Sequence, residues 1–196
     1  MNATHQNDKK ELLLRTGLEI FSTHGFNHVG LSTLLKKAGI PKGSFYYYFE
    51  SKEEYGVAVI HYYFDNYLKT ISTLFENNAL SGKERLLSYW KKWYDVQCVN
   101  NFEGRCLIVK ISSEIADYSD SMREAFRQGT EKVLLEITKI LIIGQQDNSI
   151  PKYLNPSDTA HLLYQQWLGA SLLTKIQKNS FPFEQAFQYT HNLLAT

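Results

Sequence analysis

GLSTLLKKAGIPKGSFYYYFESKEE, residues 30–54, holds two short helices and a break between them. Ser32 or Thr33 can cap a short helix in which Leu34 and Leu35 face inward. Gly39, Ile40 and Pro41 break it, and Pro41 or Lys42 opens a second short helix. Two short helices joined by a tight Gly-containing turn make a helix-turn-helix unit. The second helix carries Phe45, Tyr46, Tyr47, Tyr48 and Phe49 in succession. At about 100° per residue, three consecutive tyrosines fan over about 200° and cannot share one core. Phe45 and Phe49 are read as core. Tyr46 and Tyr47 are read as surface groups whose hydroxyls can bond phosphate oxygens. Lys42, Gly43 and Ser44 occupy the first turn, and the bare Gly43 lets a partner approach the backbone. Lys52 adds charge at the next helix start, where backbone N–H groups already favour an anion. Lys36 and Lys37 are read as a solvated face.

Over the whole chain, the spacing predicts an all-α protein of about nine helices over 8–24, 32–38, 42–48, 51–76, 82–100, 105–117, 119–145, 156–178 and 182–195. Helix-start signals support these spans: Asp8 with Glu11, Ser51 with Glu54, Ser81 with Glu84, Asn155 before Pro156, and Ser180 before FPFEQAF. With four prolines and 11 glycines in 196 residues, long helices are favoured over many short strands. The short early helices form a three-helix DNA-binding module over 1–50. Residues 51–196 form a larger helical body.

Composition excludes several classes. The 43% hydrophobic content is that of a folded chain. No apolar run reaches the roughly 20 residues needed to span a bilayer, and the N-terminus lacks a signal-peptide core. Cys98 and Cys106 make no disulfide framework and lack metal-ligand spacing, so a reduced, cytoplasmic setting with no metal or cofactor is expected. The net charge of +1 excludes a protein that coats nucleic acid. Its distribution is uneven: residues 1–49 hold six basic and three acidic side chains, and residues 50–196 hold fifteen and seventeen. The positive excess lies on the helix-turn-helix, as in a protein that binds one specific DNA site.

The stretch Gly43, Ser44, Phe45, Tyr46, Tyr47, Tyr48, Phe49, Glu50, Ser51, Lys52, Glu53 resembles the signature of the TetR family of transcriptional repressors. Tyr48 stands where many members have His. The resemblance implies a homodimer on a palindromic double-stranded operator, joined through the last two long helices, with a small-molecule inducer bound by the C-terminal domain. By position, Lys42, Gly43 and Ser44 would approach bases, and Thr33, Tyr46, Tyr47 and Lys52 would hold phosphates. EGRCLIVKISSEIADYSDSMR (103–123) and WLGASLLTKI (167–176) are similar to an electrophile-responsive subgroup of the family.

Cys106 follows Gly104 and Arg105 at an expected helix start. A neighbouring cation and a helix N-terminus both favour the reactive thiolate. It is read either as a sensor of electrophiles or oxidants or as a small buried hydrophobe. Lys175 lies on the helical face of Tyr164, Leu168 and Ser171, from which it can reach a thiolate or snorkel to solvent. Trp93 and Trp167 can wall an inducer pocket or pack as core. Glu114 and Asp117 could favour a cationic inducer that binds without reacting. No H-E-x-x-H, G-x-S-x-G or phosphate-binding Gly loop occurs, so no catalytic residue is expected. A helical protein-binding module without DNA remains the other reading.

Overall fold

The computed structural model describes residues 3–98 and 106–195. These residues hold nine α-helices and no strand: α1 (Ala3–His24), α2 (Leu31–Ala38), α3 (Lys42–Tyr48), α4 (Lys52–Phe75), α5 (Gly82–Gln97), α6 (Leu107–Ala116), α7 (Asp120–Gln146), α8 (Pro156–Gln177) and α9 (Phe181–Leu193). The described residues pack as two units, 3–66 with 106–129, and 67–98 with 130–195.

In the first unit α1 packs on α2 and α6. It buries Leu13, Ile20 and Phe21 and begins at Ala3, five residues before the expected Asp8 start. Asp8 is thus an exposed residue inside the helix rather than its cap. The cap of α2 also differs from expectation. Gly30 takes the N-cap position with no side-chain bond, so Ser32 and Thr33 fall in the exposed first turn. The turn is as read: Gly39 adopts φ 65°, and the Ile40 amide donates to the Leu35 carbonyl at 3.1 Å. A left-handed residue after the helix lets the chain reverse while satisfying the last carbonyls. Pro41 then caps α3, and Ser51 caps α4 through the Glu54 amide at 3.0 Å.

Tyr55 of α4 joins these helices. It is fully buried, with ring centroids 5.0 Å from Phe49, 5.4 Å from Phe45 and 5.9 Å from Phe21. Its hydroxyl donates to the Leu13 carbonyl at 2.6 Å, which satisfies the one polar atom in this apolar site. Burial pushes its phenol well above the ordinary range. A Cβ at Gly17 would lie 2.2 Å from the Tyr55 hydroxyl, so the glycine admits the ring against α1. Burying an aromatic of this size contributes roughly 1.5–3 kcal/mol, and three rings around Tyr55 make α3 a firmly seated helix.

In the second unit Ser81 and Glu84 form the expected reciprocal cap on α5. The Gly82 amide donates to Asp147 Oδ2 at 2.7 Å. Asn155 caps α8 through the Ser157 and Asp158 amides. Ser180 differs: it bonds the Glu184 side chain, while Asn179 takes the Phe181 amide. α9 packs on α8 and α5 around a tryptophan core. No helix among the described residues is long and apolar enough to cross a membrane.

Candidate nucleic-acid interface and sensing site

On α3 the phenylalanines and the tyrosines part company as the angular argument requires. Phe45 and Phe49 are 0% and 2% exposed, whereas Tyr46 and Tyr47 are 50% and 68% exposed. Tyr48 is half-buried, with its ring edge-on to Tyr47 at 5.0 Å. Lys42 and Gly43 are exposed in the first turn, and Ser44 is half-buried. The Lys42 ammonium lies 5.8 Å from the centre of the Tyr46 ring, which draws the charge along the outward face. A Cβ at Gly43 would meet nothing within 4 Å. Nothing in the protein itself therefore demands glycine there. Thr33 is exposed on α2, and Lys37 beside it pairs with Glu19 at 2.8 Å.

Lys52, expected on a phosphate, is instead engaged inside the protein. Its ammonium donates to the Phe26 carbonyl at 2.7 Å and sits 4.2 Å from the centre of the Phe26 ring. Burial pushes its pKa down, and the nearby Glu114 carboxylate opposes that shift. Glu114, read from the sequence as bait for a cation, is likewise occupied. Its Oε2 accepts from the Phe26 and Asn27 amides at 3.0 and 3.1 Å. The only local hint of this site is Gly25 at the end of α1.

Of the sensing candidates, Cys106 belongs to the first unit, where it is the N-cap residue of α6 and 5% exposed. Gly104 and Arg105, which entered the reading of its reactivity, lie outside the described residues. Cys98 caps the end of α5; burial pushes its thiol up, and Asp95 and Glu184 add to that rise.

Trp93, Trp167 and Lys175 belong to the second unit. Trp167 is fully buried and stacked on Trp90 at 4.8 Å and 15°. Its Nε1 donates to Thr190 at 3.0 Å, and Trp93 Nε1 donates to Ser171 at 3.0 Å. Trp93 and Trp167 thus meet in one packed cluster, 6.4 Å apart. Lys175 is half-buried one turn beyond Ser171 on α8. Sequence reading missed the two acceptors, Ser171 and Thr190, because they lie 78 and 23 residues away from the rings they serve.

A helix-turn-helix with an outward aromatic and basic face, carried by an all-helical body, defines a DNA-binding regulator. Residues 13–54 match the family model of bacterial regulatory proteins, tetR family, and residues 82–190 match that of the tetracyclin repressor-like C-terminal domain. The chain belongs to the TetR family of transcriptional repressors. It is 35% identical over 196 residues to the HTH-type transcriptional repressor NemR of Escherichia coli (strain K12), spanning 100% of this chain and 98% of that protein. It is 31% identical over 177 residues to the HTH-type transcriptional repressor DhaR of Mycobacterium sp. (strain GP1), spanning 90% and 87%. The crystal structure of E. coli NemR in its reduced form matches with a TM-score of 0.92 over 96% of this chain and 98% of that one. These relatives are repressors rather than enzymes, in line with the absence of catalytic motifs.

Proposed function

We propose that this repressor holds its operator through the outward face of α3 and leaves it when an electrophile or oxidant reacts at Cys106. The observation that carries the DNA contact is the exposure of Lys42, Gly43, Tyr46 and Tyr47 on a helix whose other face is pinned by Phe45 and Phe49. Lys42, Gly43 and Ser44 are assigned to base edges; Thr33, Tyr46 and Tyr47 to phosphates. Lys52 keeps two ammonium protons beyond the one given to Phe26, but its first role is to hold that loop. Residues 1–50 act as the DNA-binding part and residues 51–196 as the sensing and dimerisation part of a cytoplasmic regulator.

The dimer is assigned to α7 and α8, the last two long helices. α8 is apolar on two faces. One buries Leu163, Tyr164, Trp167 and Ala170; the other exposes Leu162, Leu172, Leu173 and Ile176. A helix that is apolar on both sides calls for partners on both. Gly169, with nothing within 4 Å of a Cβ placed there, lies between Leu162 and Leu172 and lets a second helix approach. On α7, Leu135 and Ile142 are exposed as well.

A homodimer reads two half-sites about 34 Å apart or a multiple of it, so a modest change in the separation of the two α3 helices weakens binding. An inducer acts by favouring the mismatched state. Support for Cys106 comes from its place at the start of α6, where the helix N-terminus stabilises an anionic sulfur, and from the likeness to a repressor crystallised in a reduced form. Lys175 is assigned to the same inducer response, and Trp93 and Trp167, whose ring N–H groups are taken up inside the second unit, to its packed core.

The test is a gel shift with the DNA upstream of the protein's own coding region, before and after treatment with N-ethylmaleimide or a quinone. Wild type is expected to bind and then to release; Cys106→Ser is expected to bind and stay. Equal release of both proteins overturns thiol sensing and leaves a non-covalent hydrophobic or cationic inducer as the trigger. Absence of any shift at low salt overturns the repressor mechanism in favour of a protein-binding module.

A further inference from the structure

Residues 25–27, the first half of the link from α1 to α2, are gripped from two sides. On one side is Glu114 of α6, whose Oε2 takes the Phe26 and Asn27 amide protons at 3.0 and 3.1 Å. On the other is Lys52, in the first turn of α4, whose ammonium donates to the Phe26 carbonyl at 2.7 Å. Gly25 makes the grip possible. It sits at φ +84°, and the place a Cβ would take is filled by the Glu114 carboxylate, with Oε1 2.3 Å away. The Phe26 ring is fully buried, 5.0 Å from Phe21 and 5.5 Å from Tyr118, so the loop cannot swing free of its own side chain.

We infer that Glu114 is a positioning residue that makes the placement of the DNA-binding helices depend on the placement of α6. The inference goes beyond the repressor reading and rests on it, but it needs neither a particular inducer nor a reaction at Cys106.

The physical reason is the steep distance dependence of two hydrogen bonds that share one acceptor. Both bonds are of ordinary length, and a slip of α6 by about 1 Å takes them out of range and strands two amides and a carboxylate. Moving the loop together with α6 avoids that cost. Only residues 28–30 separate the gripped loop from α2, and α2 leads to α3 through one tight turn. A displacement of α6 therefore arrives at the recognition helix as a displacement rather than being absorbed. α6 has ten residues, about 15 Å of helix, with Cys106 as its N-cap and Glu114 in its last turn. An event at the start of α6 and the loop at its end are thus joined by one rigid element. Lys52 reinforces the link, because its positive charge lies close enough to the Glu114 carboxylate to attract it across the loop.

Coupling of this kind is reciprocal: if α6 biases DNA binding, DNA must bias α6. The test is amide hydrogen exchange of the full-length protein with and without the DNA upstream of its coding region, at saturating DNA confirmed by gel shift. In wild type, DNA is expected to slow exchange across residues 107–116 and at Phe26 and Asn27 by about threefold or more. Glu114→Ala is expected to bind the fragment yet show no slowing in α6. Glu114→Gln keeps a carbonyl acceptor and is expected to restore part of it.

A wild-type α6 indifferent to bound DNA overturns the inference, and so does undiminished slowing in Glu114→Ala. If Glu114→Ala does not fold, Glu114→Gln carries the test: slowing equal to wild type overturns the inference and a smaller effect supports it. Failure of the repressor reading is seen separately, as absence of a gel shift with wild type.

Discussion

Along α3 and its C-cap residue five aromatic residues follow one another, and the helix turns two of them to water. On α5 and α8, Trp90, Trp93 and Trp167 stack into a cluster that water barely reaches. The two regions are alike in composition and opposite in what they do with it. In the tryptophan cluster, Trp93 and Trp167 have their ring N–H groups taken up by Ser171 and Thr190, so these side chains are satisfied within the protein. On α3, Tyr46 and Tyr47 keep half or more of their surface exposed beside a basic residue and a bare glycine. Aromatic density marks both places; only exposure separates a surface that serves a partner from one that serves the fold.

Substitutions can break this contrast from either side. The largest effect is expected inside. Trp167→Ala removes a fully buried ring and leaves Thr190 without its donor, at a cost of about 3–5 kcal/mol in denaturant unfolding. A loss under about 1 kcal/mol would mean that the cluster is a pliable pocket wall rather than core.

Outside, the sign of the experiment reverses. Tyr47→Ala should leave stability within about 0.5 kcal/mol of wild type. It should weaken operator binding about tenfold, as read by fluorescence anisotropy, or about 1.4 kcal/mol. Equal affinity would remove α3's outward face from the interface.

Gly43→Ala sharpens the same point. The free protein has room for the methyl group, so its melting temperature should hold or rise slightly. A severalfold loss of operator affinity would then report a close approach by DNA alone. Unchanged binding would show that the glycine is not a contact.

The smallest effect concerns the start of α4. Hydrogen bonds from Ser119 and then Ser121 hold the Glu53 carboxyl below its ordinary 4.5. A lowered folded-state pKa contributes stability above the unfolded value, and that contribution is lost as pH falls through the folded one. Glu53→Gln should therefore lose a little stability at neutral pH and lose less than wild type on acidification below about 4.5. Parallel acid-unfolding curves for the two proteins would contradict the assignment.

What the sequence disclosed was local. The Ser51, Ser81 and Asn155 caps, the Gly39 turn and the division of Phe45 from Tyr46 all follow from residues within one or two turns, where spacing fixes geometry. The Gly30 cap and the Ala3 start escaped because cap spacing admits more than one frame. The direction of Lys52 escaped for another reason. A lysine at a helix start can meet a phosphate or a carbonyl, and the carbonyl here belongs to Phe26, 26 residues earlier. Glu114 is the extreme case: its amide partners lie 88 and 87 residues away, and no periodicity connects them. The family signature supplied the function of the module, but the tie between that module and α6 is visible only in three dimensions.

In the proposed mechanism DNA is held on α3's exposed face, on an otherwise stable fold. The most direct measurement is an anisotropy titration of the upstream DNA fragment with wild type, Tyr47→Ala and Gly43→Ala, each shown by thermal melting to be folded. Wild type should bind tightly, and both variants should bind more weakly at unchanged stability. Indistinguishable affinities for the three proteins would contradict this mechanism.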